Sequence, residues 1–187
     1  MNNLAFFDTE TIDELAWPTN PNQLTVDSPA LDFFTDFTEH QPLVIDVSTS
    51  ALEAQTLMKK AHVWLKVVVN ANNHFLGVVS LDELRNQEIL KRTSKGLKRE
   101  ELTLTDFMRH RNELKALSFD DLQNATIGCV IKMLQDSGQQ HCLVIDRGEH
   151  QIRGIFSSSE IARRLKLPLD VDNRASFASL YKQIKHW

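Results

Sequence analysis

The chain predicts an α/β (α+β) fold made of two copies of one β-α-β-β-α unit. Three observations carry that expectation. The segment Thr35-Asp36-Phe37-Thr38-Glu39-His40 returns seventy residues later as Thr105-Asp106-Phe107-Met108-Arg109-His110, with four of six residues the same. Two apolar, largely β-branched runs, Val67-Val68-Val69 and Leu143-Val144-Ile145, close on Asn70 and Asp146. Each is followed by a strand with a central glycine and then by Ser-x-x-Glu, at Ser80 to Glu83 and at Ser157 to Glu160.

Each copy opens on Thr and Asp, which suit a helix start because short polar side chains satisfy free backbone N–H groups there. Short apolar strands are expected at 43–47 and around 116–119. Helices follow over 51–60 and 126–136. Ala51, Ala54, Leu57 and Met58 recur at three- and four-residue spacing in the first, and Ile127, Val130, Ile131 and Leu134 in the second, so each is expected to carry one buried stripe. The continuous apolar runs suit strands covered on both faces. Turn formers at 71–74 and 147–150 lead into strands 75–80 and 151–157, where Gly77 and Gly154 mark close approach of another group to the backbone. Helices over 81–90 and 158–165 complete the copies. The offset grows from 70 to 77 through extra residues near 120–124.

These elements divide the chain into an acidic N-terminal extension (1–30), a first repeat (31–90), a basic linker (91–104), a second repeat (105–167) and a C-terminal tail (168–187). The extension, with Trp17-Pro18 and Asn20-Pro21-Asn22, reads as irregular. In the tail, Phe177, Leu180, Tyr181 and Ile184 form a stripe that should dock on its own chain or across a dimer.

The 187 residues are 42% apolar and 25% charged, which excludes collagenous, low-complexity and wholly disordered chains. No apolar run approaches the roughly 18 residues of a spanning helix, and the N-terminus lacks a basic, apolar export signal. Cys129 and Cys142 form no CxxC pair, so neither a disulfide framework nor a zinc site is expected, and both thiols read as buried and inert. A reducing, cytoplasmic location follows. Residues 1–58 hold ten carboxylates and no Lys or Arg, for a balance of −10, against +6 in the remainder. That argues against a nucleic-acid face in the first third. The linker's Lys91, Arg92, Lys95, Lys98 and Arg99 have no interleaved aromatic for stacking bases, so they read as a solvated connector. No GxSxG, HExxH or P-loop is present, so no catalytic residue, catalytic cofactor or metal is expected.

The tandem pattern resembles a pair of cystathionine-β-synthase (CBS) domains, a Bateman module. The resemblance lies in Val67-Val68-Val69-Asn70 with Gly77-Val78-Val79-Ser80-Leu81-Asp82-Glu83-Leu84, and in Leu143-Val144-Ile145-Asp146 with Gly154-Ile155-Phe156-Ser157-Ser158-Ser159-Glu160-Ile161. It covers about residues 31–166, with no catalytic domain beside it, and so looks like a stand-alone pair. The resemblance implies two repeats packed sheet to sheet with pseudo-two-fold symmetry, two clefts between them, a homodimeric disc, and binding of adenosine nucleotides or derivatives such as AMP, ADP, ATP or S-adenosylmethionine. It further implies that the acid after Ser/Thr-x-x holds the ribose: Glu83 with Ser80, and Glu160 with Ser157. The chain departs from the pattern in carrying Glu where the family has Asp, and Lys66 and Cys142 where a Pro often precedes the valine run.

The chemistry suits this assignment, since a carboxylate can accept both hydroxyls of a vicinal diol. Ser-x-x-Glu is equally a capping box that needs no ligand. Lys66, Arg109, His110, Lys115 and His141 are further candidates for phosphate or base, with solvated or packed roles as the alternative. The second repeat carries more of them, so its cleft is expected to be the better furnished. The expected function is a regulatory sensor that shifts its packing, or its contact with a regulated partner protein, on binding an adenosine compound. The alternative is a ligand-free structural dimer of the same fold.

Overall fold

The computed structural model of the chain describes residues 24–94, 96, 98–168 and 175–185, and ahead of them residues 6, 10 and 14–16. Trp17, Pro18, residues 20–22 and Lys95 lie outside the described residues.

Two four-stranded sheets form the centre. One holds β2 (Val44–Asp46), β3 (Leu65–Val69), β4 (Phe75–Ser80) and β5 (Arg109–His110), in that order. The other holds β1 (Thr35–Asp36), β8 (Gln151–Ser157), β7 (His141–Asp146) and β6 (Ala116–Ser118). In each sheet one pair is parallel, β2 with β3 and β6 with β7, and the helix between them makes the crossover. These helices are α1 (Ala51–Lys60) and α4 (Ile127–Met133), begun by Ser50 and Thr126, whose hydroxyls accept from Glu53 N–H and Cys129 N–H. A one-turn helix α3 (Phe119–Leu122) precedes α4.

The first strand of each half joins the other half's sheet. Thr35 and Asp36 pair with Ile155 and Gly154; Arg109 and His110 pair with Val78 and Gly77. A side chain at Gly77 would collide with the Arg109 carbonyl, and one at Gly154 with the Thr35 carbonyl and the Phe34 ring. The exchange therefore requires glycine at both crossings, as the glycine-centred strands predicted.

The register corrects the reading of the repeated hexapeptide. Asp36 and His110 face equivalent glycines, so the crossing strands are 74 residues apart, while the matching hexapeptides are 70 apart. Thr35 and Asp36 are strand, not a helix start. Thr105 and Asp106 lie in a 3-10 turn, Leu104–Asp106, where the Asp106 carboxylate accepts from Thr103 N–H at 2.8 Å.

Each half has its own core. Met58, Val68, Val79, Leu84, Ile89, Leu102 and Leu104 form the first, under α1 and α2 (Asn86–Thr93). Phe33, Ile131, Val144, Phe156 and Ile161 form the second, under α4 and α5 (Ser158–Arg164). The second core is enlarged by both ends of the described chain. Helix α6 (Phe177–Ile184) packs on α4 and α5 and buries Phe177, Leu180 and Ile184. Burying the first two side chains contributes about 1.5–3 kcal/mol each. Before β1, Ile127 N–H donates to Ser28 O and Gly128 N–H to Val26 O, at 3.0 and 2.8 Å. The tail stripe thus docks on its own chain.

A partly buried fork locks β1 in place. Arg153 donates through Nε and Nη2 to the two carboxylate oxygens of Asp36, both at 2.8 Å, with its guanidinium 4.4 Å from the centre of the Phe119 ring. The Arg153 hydrogen bonds hold Asp36 well below the usual carboxylate range. Of the thiols, Cys142 is buried and pushed up to about 11 by desolvation, but Cys129 is exposed, contrary to expectation. No helix among the described residues is long and apolar enough to cross a membrane.

Candidate functional site

Ser80 ends β4, and Glu83 follows in the turn before α2. Ser80 donates to Glu83 Oε2 through its N–H at 2.7 Å and its hydroxyl at 3.0 Å, and Glu83 N–H points back at Ser80 Oγ at 3.4 Å. The motif closes on itself as a capping box does, but over the turn 81–84 and not at a helix start: α2 begins only at Asn86 and runs to Thr93, where the sequence predicted a helix over 81–90. The other carboxylate oxygen, Glu83 Oε1, lies 2.9 Å from Arg109 Nε. That nitrogen is buried and its N–H is not aligned on any acceptor among the described residues, so the contact is an ion pair without a hydrogen bond at Nε.

Arg109 reaches this place because β5 crosses from the second half. His141, which opens β7, arrives with Gln139 and Gln140 from the same half. Together with Ser80, Glu83, Leu65 and Phe107 they line a cleft of ≈ 430 Å³ between the repeats. The Arg92 guanidinium lies 5.4 Å from the centre of the Phe107 ring on its floor. Asp82 and Glu88 also line the cleft but pair with exposed Arg85 and Lys91 at 2.7 and 2.5 Å. The cleft combines two guanidinium groups, an imidazole, a carboxylate bonded to the Ser80 hydroxyl and an aromatic ring. Such a set can hold a phosphate, a diol and a flat base.

Ser157 and Glu160 are arranged differently. Helix α5 starts at Ser158, immediately after β8, and Ser157 makes no capping bond. Glu160 takes the Arg163 guanidinium in a two-pronged pair, at 3.0 and 2.5 Å, out on the surface. Ser158 is the buried serine here: its N–H donates to Gln140 O at 2.9 Å and its hydroxyl to Ala175 O at 2.6 Å. Neither Ser157 nor Glu160 lines the cleft, the seam between the sheets, the cavity at the hairpin turns or the hollow beside Cys129. The second repeat's motif is thus the less furnished of the two, the reverse of the expectation from polar composition. The local reason is Arg163, three residues after Glu160, where Asn86 follows Glu83.

The remaining candidates fall in three places. Lys115 is exposed at the rim of the seam, where Arg109, His141 and their neighbours leave only ≈ 10 Å³. Lys66 and His110 are not brought to the cleft. Each follows a cleft residue, Leu65 and Arg109, and strand alternation turns it to the other face. Lys66 Nζ donates to Val44 O at 3.1 Å, and His110 N–H to Glu113 at 3.0 Å. Sequence reasoning missed Phe107, Arg92, Gln139 and Gln140 as cleft residues. Nothing local marks them, because they come together only through the strand exchange and the sheet packing.

The family model of the CBS domain matches residues 34–88. A comparison with curated protein sequences finds no significant match. Among solved structures, an uncharacterised conserved protein from Pyrococcus horikoshii is 21% identical with a TM-score of 0.55, over 79% of this chain and 99% of that one. CBSX2 of Arabidopsis thaliana, in a complex with AMP, is 21% identical with a TM-score of 0.52, over 73% and 94%. A conserved CBS domain protein from Thermoplasma acidophilum is 17% identical with a TM-score of 0.52, over 81% and 77%. The chain therefore contains a CBS domain at residues 34–88 and has, as a whole, the fold of a tandem CBS pair.

Proposed function

We propose that the chain is a regulatory module that senses an adenosine nucleotide or derivative, of the AMP, ADP, ATP or S-adenosylmethionine class, in the cleft beside Ser80 and Glu83. The observation that carries this reading is the convergence of Glu83, Arg109 and His141 on one ≈ 430 Å³ space from two halves of the chain. Support also comes from CBSX2, a protein of the same fold whose structure holds AMP.

The Arg109–Glu83 ion pair stands where a ligand's phosphate and ribose would compete. A phosphate offers Arg109 a bidentate acceptor, which releases Glu83 Oε1 to accept a ribose hydroxyl. Arg109 sits on the exchanged strand, with β6 of the other sheet only six residues further on. A ligand that moves Arg109 thus favours one arrangement of the two halves over another, and differential affinity for those arrangements is the signal to a partner protein. No step in this scheme is catalytic.

The test is thermal unfolding with AMP, ADP, ATP, NADH and S-adenosylmethionine. At one hundred times its dissociation constant, the bound compound stabilises by about 2.7 kcal/mol. Glu83→Gln and Arg109→Ala each remove the shift. The reading fails if no adenosine compound shifts the Tm, or if the shift survives in both variants.

A ligand-free structural role is favoured by one observation: the capping box already satisfies Glu83 Oε2. Exposed Leu57 and Met133, 46% and 72% accessible at equivalent places on α1 and α4, would then cover each other across two copies of the chain in a homodimer. Sedimentation equilibrium with Leu57→Glu and Met133→Glu variants checks that arm: loss of a dimer supports it, and a monomeric parent chain removes it.

A further inference from the structure

A larger cavity, ≈ 1230 Å³, opens at the opposite end of the strands from the cleft. The cleft uses Leu65 and Ser80, paired at one end of β3 and β4; this cavity uses Val69 and Phe75, paired at the other. Four residues of strand separate the two, about 13 Å.

The strand register shows that the cavity straddles the axis relating the two sheets. Val69 pairs with Phe75 as Ile145 pairs with Ile152, and Phe37 and Arg111 each follow the equivalent crossing residues Asp36 and His110. All six line the cavity. Two of these equivalent pairs are apolar on both sides. The third breaks the symmetry, with an aromatic ring on one wall and a guanidinium on the other.

The charge balance gives the cavity a preference. Arg111 and Arg147 both line it, and neither has a hydrogen bond or ion pair from its guanidinium to a described residue. The Asp146 carboxylate on the wall is already engaged, by Glu149 N–H at 3.0 Å and by Arg153 at 3.8 Å. Asp120 is the one other carboxylate among the lining residues. Apolar walls with two uncommitted guanidinium groups fit a molecule that is apolar in its body and anionic at one end.

We propose that this axial cavity is a second binding site, distinct from the nucleotide cleft, for a small organic anion with an apolar or aromatic body. The body lies against Phe75, Ile145 and Ile152, and the anionic group points to Arg111 and Arg147. The inference does not depend on the nucleotide reading, because the two sites share no lining residue.

Two fluorescent probes test it on the full chain: 8-anilinonaphthalene-1-sulfonate, and N-phenyl-1-naphthylamine, which has the same aromatic body without the sulfonate. The sulfonate probe should bind saturably at one site per chain. Arg111→Glu and Arg147→Glu, both at exposed positions, should weaken it about tenfold while changing the neutral probe's affinity less than about twofold. Saturating AMP and the Glu83→Gln substitution should leave both probes bound. The proposal is overturned by non-saturable binding, by equal loss of both probes in the arginine variants, by sulfonate-probe binding that both arginine variants leave unchanged, or by competitive displacement with AMP.

Discussion

The two Ser-x-x-Glu segments of this chain have the same spacing and the same place after a glycine-centred strand, yet they end in different states. Glu83 is shared between its own main chain and Arg109 at the wall of a cleft, whereas Glu160 is spent on Arg163 at the surface. The strand that brings Arg109 to Glu83 has an equivalent, β1, that brings Thr35 to the second sheet. A threonine there offers no charge. A duplicated fold therefore does not imply duplicated sites: the motif supplies the carboxylate, and the partner delivered by the other half decides what that carboxylate faces.

The cores differ in the same direction. Phe156 and Val79 occupy equivalent places and are both fully buried, but Phe156 belongs to the core that α6 and the segment before β1 enlarge. Phe156→Ala should cost about 3–5 kcal/mol in urea unfolding. Val79→Ala, which removes fewer atoms, should cost clearly less. Equal losses would break the claim that the second half carries the heavier core.

Next in size is the ligand response. Glu83→Gln should abolish the adenosine-dependent gain of about 2.7 kcal/mol, and Glu160→Gln should leave it intact. The opposite result would move the site to the second repeat.

The crossing glycines sharpen the comparison further. Gly77→Ala and Gly154→Ala should each cost about 1–3 kcal/mol, because backbone must shift at both crossings. Only Gly77→Ala should also weaken the ligand response, since the backbone it displaces is that of Arg109. If Gly154→Ala weakens it equally, the two crossings are coupled.

The Asp36–Arg153 fork has no counterpart in the first half, where Leu76 stands in the place of Arg153. Asp36→Asn should lower the Tm by several degrees at neutral pH. Because the folded state depresses the Asp36 pKa, the stability it contributes is complete above the unfolded carboxylate value near 4 and is lost as pH falls from there towards the folded value. The gap between parent and variant should thus stay constant from pH 7 to about 5 and close in stronger acid. A gap that widens in acid would contradict the fork. Smallest of all, Arg163→Ala should leave the unfolding midpoint unchanged within error, since its pair with Glu160 is exposed.

Much of this was readable in advance, and the failures have identifiable causes. The glycines of β4 and β8 and most of the stripes of α1 and α4 are local patterns, and they formed where the pattern places them; Leu57, counted in the α1 stripe, is instead exposed. The i,i+3 pair of Glu160 with Arg163 was equally local and could have been read. The hexapeptide misled because identity of letters carried no pairing information: four residues of slippage separate the matched segments from the strands that are structurally equivalent. Cys129 misled because its helix buries Val130 and Ile131 and leaves the next face to solvent.

The amino-acid order alone determined the repeated unit, most of its helices and strands, and the placing of a carboxylate three residues after each serine, because periodicity, capping and turn chemistry act over a few neighbouring residues. Only the folded chain decided which sheet each two-residue crossing strand would join, and so which carboxylate meets a guanidinium. That choice rests on backbone pairing between segments far apart in sequence. No short-range pattern records it.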